Sequence, residues 1–223
     1  MPADLQIAID GPAASGKTTV ARLLALRLGV VYVDTGSMYR ALAFAALQTQ
    51  TDLDNENALV RLFDQQIRVS LDREAQLGFR VFWKNDELTQ DELDSPVVTA
   101  VVSIVAAHPH VREAMVREQR RIAGEGSVVM AGRDIGTVVL PDAPCKIFLT
   151  ASVAARVARR RAQLEASGVD VSAHELTQEI EERDRLDETR KVSPLRKAPD
   201  AHIIDSSELT AEQVVDEICG LIG

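Results

Sequence analysis

Gly11-Pro12-Ala13-Ala14-Ser15-Gly16-Lys17-Thr18 fits the spacing G-x-x-x-x-G-K-[ST]. The chemistry served by that spacing is anion binding. Glycines at its ends let backbone N–H groups turn inward around a phosphate. A helix starting at Lys17 would aim its N-terminal N–H groups and dipole at the same anion. Lys17 would add a point charge at the β and γ phosphates, and the Thr18 hydroxyl can ligate Mg²⁺. The plain alternative is a chance match in a Gly/Lys turn, and an apolar run before the loop with a helical pattern after it weighs against that. The loop points to a nucleoside triphosphate without saying what is done with it.

Three further patches could hold a second anion. Asp34-Thr35-Gly36-Ser37-Met38-Tyr39-Arg40 follows an apolar run, at the carboxyl end of a strand, where open α/β sheets bind ligands. Arg40 there could clamp phosphate bidentately, or be a surface arginine behind a helix cap. Gly132-Arg133-Asp134 follows another such strand. Its two charges could contact a ligand or neutralise each other. Arg183, Asp187 and Arg190 are spaced by four and three, which puts them on one helix face. Intrahelical salt bridging is the bland reading of that pattern.

The elements that must carry these residues alternate. Leu5–Asp10, Val30–Asp34, Ser127–Ala131, Cys145–Thr150 and His202–Asp205 read as buried strands. Helical patterns run over Lys17–Leu28, Ser37–Leu47, from Pro109 to near Gly124, after Thr150 to Gly168, over about 173–190, and over Glu208–Leu221. Ser95-Pro96 looks like a helix start, but the β-branched run after it leaves helix or strand open. Residues 64–94 differ: Ile67, Val69 and Leu71, then Phe79 and Val81, alternate with polar residues, and Asn85-Asp86 looks like a turn. These residues read as an inserted β subdomain. The fold class is therefore α/β, a five-stranded parallel sheet with helices on both faces, in one domain of 223 residues.

Composition narrows the function. Hydrophobic residues make up 46% and charged ones 26%, which excludes disordered and collagen-like chains. The longest uncharged apolar stretch, Val97–Ala107, is far short of the roughly 20 residues of a membrane span. No signal-like N-terminal run is visible, so a cytoplasmic protein is expected. A net charge of −9 disfavours a nucleic-acid polymer as partner. The segment 156–197 nevertheless carries ten Lys and Arg against nine Asp and Glu, which suits a small anionic ligand. Cys145 and Cys219 read as reduced thiols. The four histidines, His108, His110, His174 and His202, form no evident catalytic pair.

Guanine recognition would need Asn-Lys-x-Asp, and none of Asn55, Asn57 and Asn85 begins it. A transport-type ATPase signature needs Gly-Gly, which does not occur. A small-molecule kinase remains. The chain then resembles the bacterial cytidylate (CMP) kinases of the P-loop nucleoside monophosphate kinase group. The resemblance is carried by IAIDGPAASGKTT (7–19), DTGSMYRALA (34–43), VAAHPHVREA (105–114), AGRDIGTVVLPDAPCKIFLTAS (131–152), ERDRLDETR (182–190) and APDAHIIDSS (198–207), and so spans nearly the whole chain.

That resemblance implies the P-loop kinase fold, a monophosphate-binding subdomain matching 64–94, and a mobile helical lid at 152–170. It implies the reaction ATP + CMP ⇌ ADP + CDP, with dCMP as an alternative acceptor, Mg²⁺ accompanying ATP, and a monomer. Thr35, Arg40 and Arg133 would hold the CMP phosphate. Ser103, Arg112, Asp134 and Arg190 would read cytosine, and Arg183 and Asp187 would reach the ribose. Gly11, Pro12, Ala13, Ala14, Ser15, Gly16, Lys17, Thr18 and Thr19 would hold ATP. Arg156, Arg159 and Arg160 lie in the lid region; Arg156 and Arg160 share a face and are the expected ATP contacts. Lys17, Arg40, Arg133 and Arg183 would neutralise charge during transfer, which is mainly what phosphoryl transfer requires. The family loop commonly ends Gly-Lys-Gly-Thr, whereas here Gly16-Lys17-Thr18-Thr19 offers two hydroxyls for the metal. A kinase for another small acceptor and a non-catalytic nucleotide sensor remain the alternatives.

Overall fold

The computed structural model describes residues 5–72, 78–166 and 168–222. In chain order the elements are β1 (Gln6–Asp10), α1 (Lys17–Leu28), β2 (Val31–Asp34), α2 (Thr35–Gln48), α3 (Glu56–Gln66), β3 (Ile67–Leu71), β4 (Phe79–Trp83), β5 (Asp86–Glu87), α4 (Gln90–Leu93), α5 (Pro96–Ala107), α6 (Pro109–Ala123), β6 (Val128–Gly132), a π-helical turn (Ile135–Val139), β7 (Cys145–Thr150), α7 (Val153–Ala166), α8 (Ala173–Thr189), β8 (His202–Asp205) and α9 (Ala211–Ile222). The five parallel strands hydrogen-bond in the order β2-β6-β1-β7-β8, and helices flank them. The chain forms two compact units, one of Met1–Leu5 and Gly29–Val128, the other of Gln6–Leu28 and Val129–Gly223.

In the second unit, β1 and β7 pair in the register Ile7↔Cys145 to Asp10↔Phe148, and β7 pairs β8 from Ile147↔His202 to Thr150↔Asp205. Ile7, Ala8 and Ile9 are fully buried, as an unbroken apolar strand covered on both faces requires. The helices α7 and α8 join through buried Val157, Leu176 and Ile180. Ser172 caps α8 by a capping box with Glu175. The expected lid segment 152–170 is thus α7 and the start of its connection to α8; residue 167 lies outside the described residues.

The first unit holds the antiparallel sheet β3-β4-β5, paired from Ile67↔Trp83 to Leu71↔Phe79. This sheet falls within the span 64–94 read from the sequence as an inserted β subdomain; of that span, residues 73–77 lie outside the described residues. Its apolar face packs on Ala41, Leu88 and Leu93, with Phe44 edge-on to Trp83 at 5.6 Å between ring centroids. The ambiguous run after Ser95 is helical. Pro96 sits in its first turn, and Val98, Val102 and Val105 recur at helical spacing as the buried stripe. Helix α3 was not expected. Asn55 caps it by accepting from Ala58 N, and Leu59, Leu62 and Phe63 are its buried face. Both cysteines are free, and burial pushes the Cys145 thiol up to about 11.

Candidate functional site: the phosphate loop and its charged surroundings

The loop between β1 and α1 is built as the motif requires. At Gly11 a Cβ would fall 2.0 Å from the Leu149 carbonyl oxygen, so only glycine fits this close approach to β7. Gly16 has φ +92°, and Ala14 sits at φ 57°, a conformation L residues seldom adopt. Ser15 is fully buried. Lys17 opens α1, is 7% exposed, and donates from Nζ to Pro12 O at 2.6 Å and to Ser15 Oγ at 3.2 Å. Burial, reinforced by Arg133 and Arg183, holds the Lys17 ammonium well below its ordinary value; Asp187 and Asp10 oppose this without reversing it. Thr18 and Thr19 are both exposed in the first turn of α1.

Asp10, the last residue of β1, was not singled out in the sequence. It is 4% exposed and accepts from Ile135 N at 2.8 Å and Gly136 N at 2.7 Å. It therefore pins the π-helical turn directly after Arg133 and Asp134. Burial raises its pKa to about 6; the two N–H bonds and Lys17 only moderate that, while Asp134 adds to it.

Four expected acceptor residues meet in this same unit. Arg133 Nε donates to Asp187 Oδ2 at 2.7 Å. Arg190, at the C-cap of α8, donates from Nη1 to Asp187 Oδ1 at 3.3 Å and from Nε to Ser193 O at 2.5 Å, and its Nη2 lies 3.9 Å from Asp134 Oδ1. Burial alone would raise the Asp187 pKa, but Arg133, Arg190 and Arg183 outweigh it and hold this carboxyl below the usual range. Arg183 is half-buried and belongs to the electrostatic surroundings of both Lys17 and Asp187. The i,i+3 salt bridge of Arg190 and Asp187 exists, and Arg133 joins it from another element.

Arg156, Arg159 and Arg160 of α7 have different partners. Arg156 is 5% exposed and pairs with Asp184 Oδ2 at 2.5 Å, because the apolar seam of α7 and α8 brings that carboxylate to it. The Arg156 guanidinium therefore sits in a buried ion pair. Arg160 donates to Gln163 Oε1 at 3.1 Å on its own helix. Arg159, between them on the same helix, donates to Ser15 O at 3.3 Å. Its i,i+3 spacing from Arg156 was the available signal.

The remaining expected residues belong to the first unit. Thr35 is buried in the first turn of α2, whose cap Asp34 accepts from Gly36 N at 2.9 Å. Burial raises the Asp34 pKa, with Gly36 and Arg40 opposing. Arg40 Nη1 donates to Thr99 Oγ1 at 2.9 Å and to Leu93 O at 3.1 Å, joining α2 to α4 and α5. Ser103 is exposed on α5. Arg112 is 2% exposed, donates to Ala106 O at 3.3 Å and lies over the Tyr39 ring at 5.4 Å. None of the four histidines joins these sets: His108 bonds Leu53 O, and His110 pairs with Glu56.

Comparison with known proteins supplies the family. The family described as cytidylate kinase matches residues 7–223. The chain belongs to the cytidylate kinase family. A cytidylate kinase of Pelotomaculum thermopropionicum is 51% identical over 212 residues, covering 95% of this chain and 93% of its own. One from Geobacillus sp. (strain WCH70) is 48% identical over 220 residues, covering 98% and 96%. Among solved structures, a shikimate kinase from Bacteroides thetaiotaomicron aligns with a TM-score of 0.51 at 15% identity over 99% of each chain. An uncharacterized protein from Eubacterium ventriosum aligns at 0.53 and 15%, over 98% of each. These two likenesses show the P-loop kinase fold alone. Among the described residues, no helix is long and apolar enough to cross a membrane, and no three His, Cys, Asp or Glu side chains form a metal cage.

Proposed function

We propose that this protein transfers the γ-phosphoryl group of ATP to the phosphate of CMP or dCMP. The bond from the γ-phosphorus to the β–γ bridging oxygen breaks, a CMP phosphate oxygen forms the new bond, and ADP and CDP leave. One observation supports this above the rest. In a chain of the cytidylate kinase family, a phosphate loop with a buried lysine shares one unit with a guanidinium cluster in which Arg133 and Arg190 share the single carboxylate of Asp187.

The nucleophile needs little help from the protein. The second pKa of a phosphate monoester is about 6, so it is largely ionised at neutral pH. The task is to bring two polyanions together, and positioned cations do that. Lys17 and the loop N–H groups serve the ATP phosphates. Arg133 and Arg183 serve the acceptor phosphate and the charge that develops on transfer. Asp187 serves the ribose, and Asp134 with Arg190 the base. Thr35, Arg40, Ser103 and Arg112 carry the acceptor roles assigned to the first unit.

Mg²⁺ is the proposed companion of ATP. This ion keeps several waters and takes few protein ligands beside nucleotide phosphates, so the exposed Thr18 hydroxyl at the head of α1 fits it, with Thr19 as the adjacent alternative. Bound there, it would neutralise phosphate charge. A cytoplasmic monomer accords with this chemistry.

The test is ADP release from Mg·ATP with CMP, dCMP, UMP, AMP or GMP supplied in turn. Turnover with CMP and dCMP above the others is expected. Equal turnover with UMP would remove the cytosine-reading roles, and no turnover with any acceptor would refute the proposal.

A further inference from the structure

A cradle that turns its N–H groups inward turns carbonyls outward, and those carbonyls need donors of their own. In this loop the donors come from α7 and from the turn after β8. Arg156 Nη1 donates to Ala13 O at 3.2 Å, and Arg159 Nη1 donates to Ser15 O at 3.3 Å. The two carbonyls flank Ala14, the residue at φ 57°. Ser206 Oγ, 2% exposed, reaches the same Ser15 carbonyl at 3.1 Å.

Both arginines are themselves anchored. Arg156 Nε donates to Ala151 O at 3.2 Å while its Nη1 holds Asp184 on α8. Arg159 donates to Ser206 Oγ at 3.0 Å and to the Ser206 carbonyl. A guanidinium suits this task, because its planar fork can bind two acceptors at fixed spacing where an ammonium offers only a point charge.

We propose that Arg156 and Arg159 are positioning residues of the donor site: from α7 they grip the outward carbonyls on either side of Ala14 and so hold the N–H cradle open for phosphate. This rests on the reading of the loop as the ATP site and gives two lid-region arginines a role other than touching ATP. It also ties the seat of α7, and through Asp184 that of α8, to the shape of the loop.

Direct contact and positioning predict different selectivity. A residue touching the terminal phosphate discriminates ATP from ADP. A residue shaping the cradle weakens both, because the α and β phosphates occupy the same N–H groups. The experiment is calorimetric titration of Mg·ATP and Mg·ADP into the wild-type protein and into Arg159→Ala, Arg159→Lys and Arg161→Ala. Arg161 lies on the same helix, pairs with Glu165 at 2.8 Å and is half exposed, so it serves as the control.

Arg159→Ala should weaken both nucleotides by the same factor, on the order of tenfold, and leave the KM for CMP unchanged. Arg159→Lys should recover part of the loss, and Arg161→Ala should bind as wild type. A loss confined to ATP, or none for either nucleotide, overturns the proposal. If Arg159→Ala does not fold, Arg159→Lys and Ser206→Ala carry the same comparison, each expected to weaken both nucleotides together. Nucleotide binding needs no acceptor, so a wild type that binds ATP without phosphorylating CMP would refute the proposed reaction and leave this titration readable.

Discussion

Asp10→Asn should remove a pH dependence of stability that wild type carries. Asp10 is 4% exposed and its pKa is raised from 3.8 to about 6, chiefly by burial. A raised carboxyl means that the folded protein prefers the protonated form. This contribution is fully present below the unfolded pKa and is lost as pH rises through the folded one. Each pK unit corresponds to about 1.4 kcal/mol, so the full span is roughly 3 kcal/mol. Between about pH 4.5 and about pH 7.5, linkage gives wild type a loss of about 2 kcal/mol relative to the variant. Asparagine keeps one acceptor and gives up one N–H bond, a loss of about 1–3 kcal/mol at either pH that cancels in the difference. The assay is urea unfolding of both ligand-free proteins at the two pH values, comparing the change in stability difference rather than absolute values. Parallel behaviour of the two proteins would refute the reasoning, because it would mean that Asp10 titrates alike in the folded and unfolded chains.

Lys17→Ala should lower kcat by about a thousandfold or more, since its charge acts where the transition state develops it; unfolding curves should show the fold retained, and comparable turnover would contradict the role. Arg190→Ala should raise the KM for CMP more than that for ATP, because its partners are Asp187 and Asp134; equal changes would remove it from the acceptor side. Gly11→Ala should destabilise by about 3 kcal/mol or more, its Cβ falling 2.0 Å from the Leu149 carbonyl, and a wild-type denaturation midpoint would count against that geometry. Asp184→Ala should destabilise by about 3–5 kcal/mol, as removing one member of a buried pair strands Arg156 without its charge partner; calorimetric melting checks this.

The parallel strands were legible because strands covered on both faces have no polar face to write, so they appear as short unbroken apolar runs such as Ile7–Ile9 and Ile147–Leu149. The loop was legible for a different reason: a nest of N–H groups needs glycine at fixed places, and Gly11 is forced by the approach of β7. Two elements were harder. In α5 nearly every position is apolar or β-branched, so its burial stripe of Val98, Val102 and Val105 is masked by its neighbours. The turn at Ile135–Val139 has the composition of a strand and is held in another shape by Asp10, a residue far away in sequence.

That last case explains what sequence spacing could find in the site. Spacing finds contacts within an element, and so it found Asp187 with Arg190. It is blind to contacts between elements, and so it missed Arg133 with Asp187, Asp184 with Arg156, and Ser206 with Arg159. Arginines marked alike by position along α7 then part by partner. Arg156 meets a carboxylate across an apolar seam, Arg159 meets loop and turn oxygens, and Arg160 stays with Gln163. The run of charge along α7 therefore does not say what each arginine touches. That depends on which carbonyls and carboxylates the packing of α7 brings within reach, and at all three positions those acceptors belong to the protein.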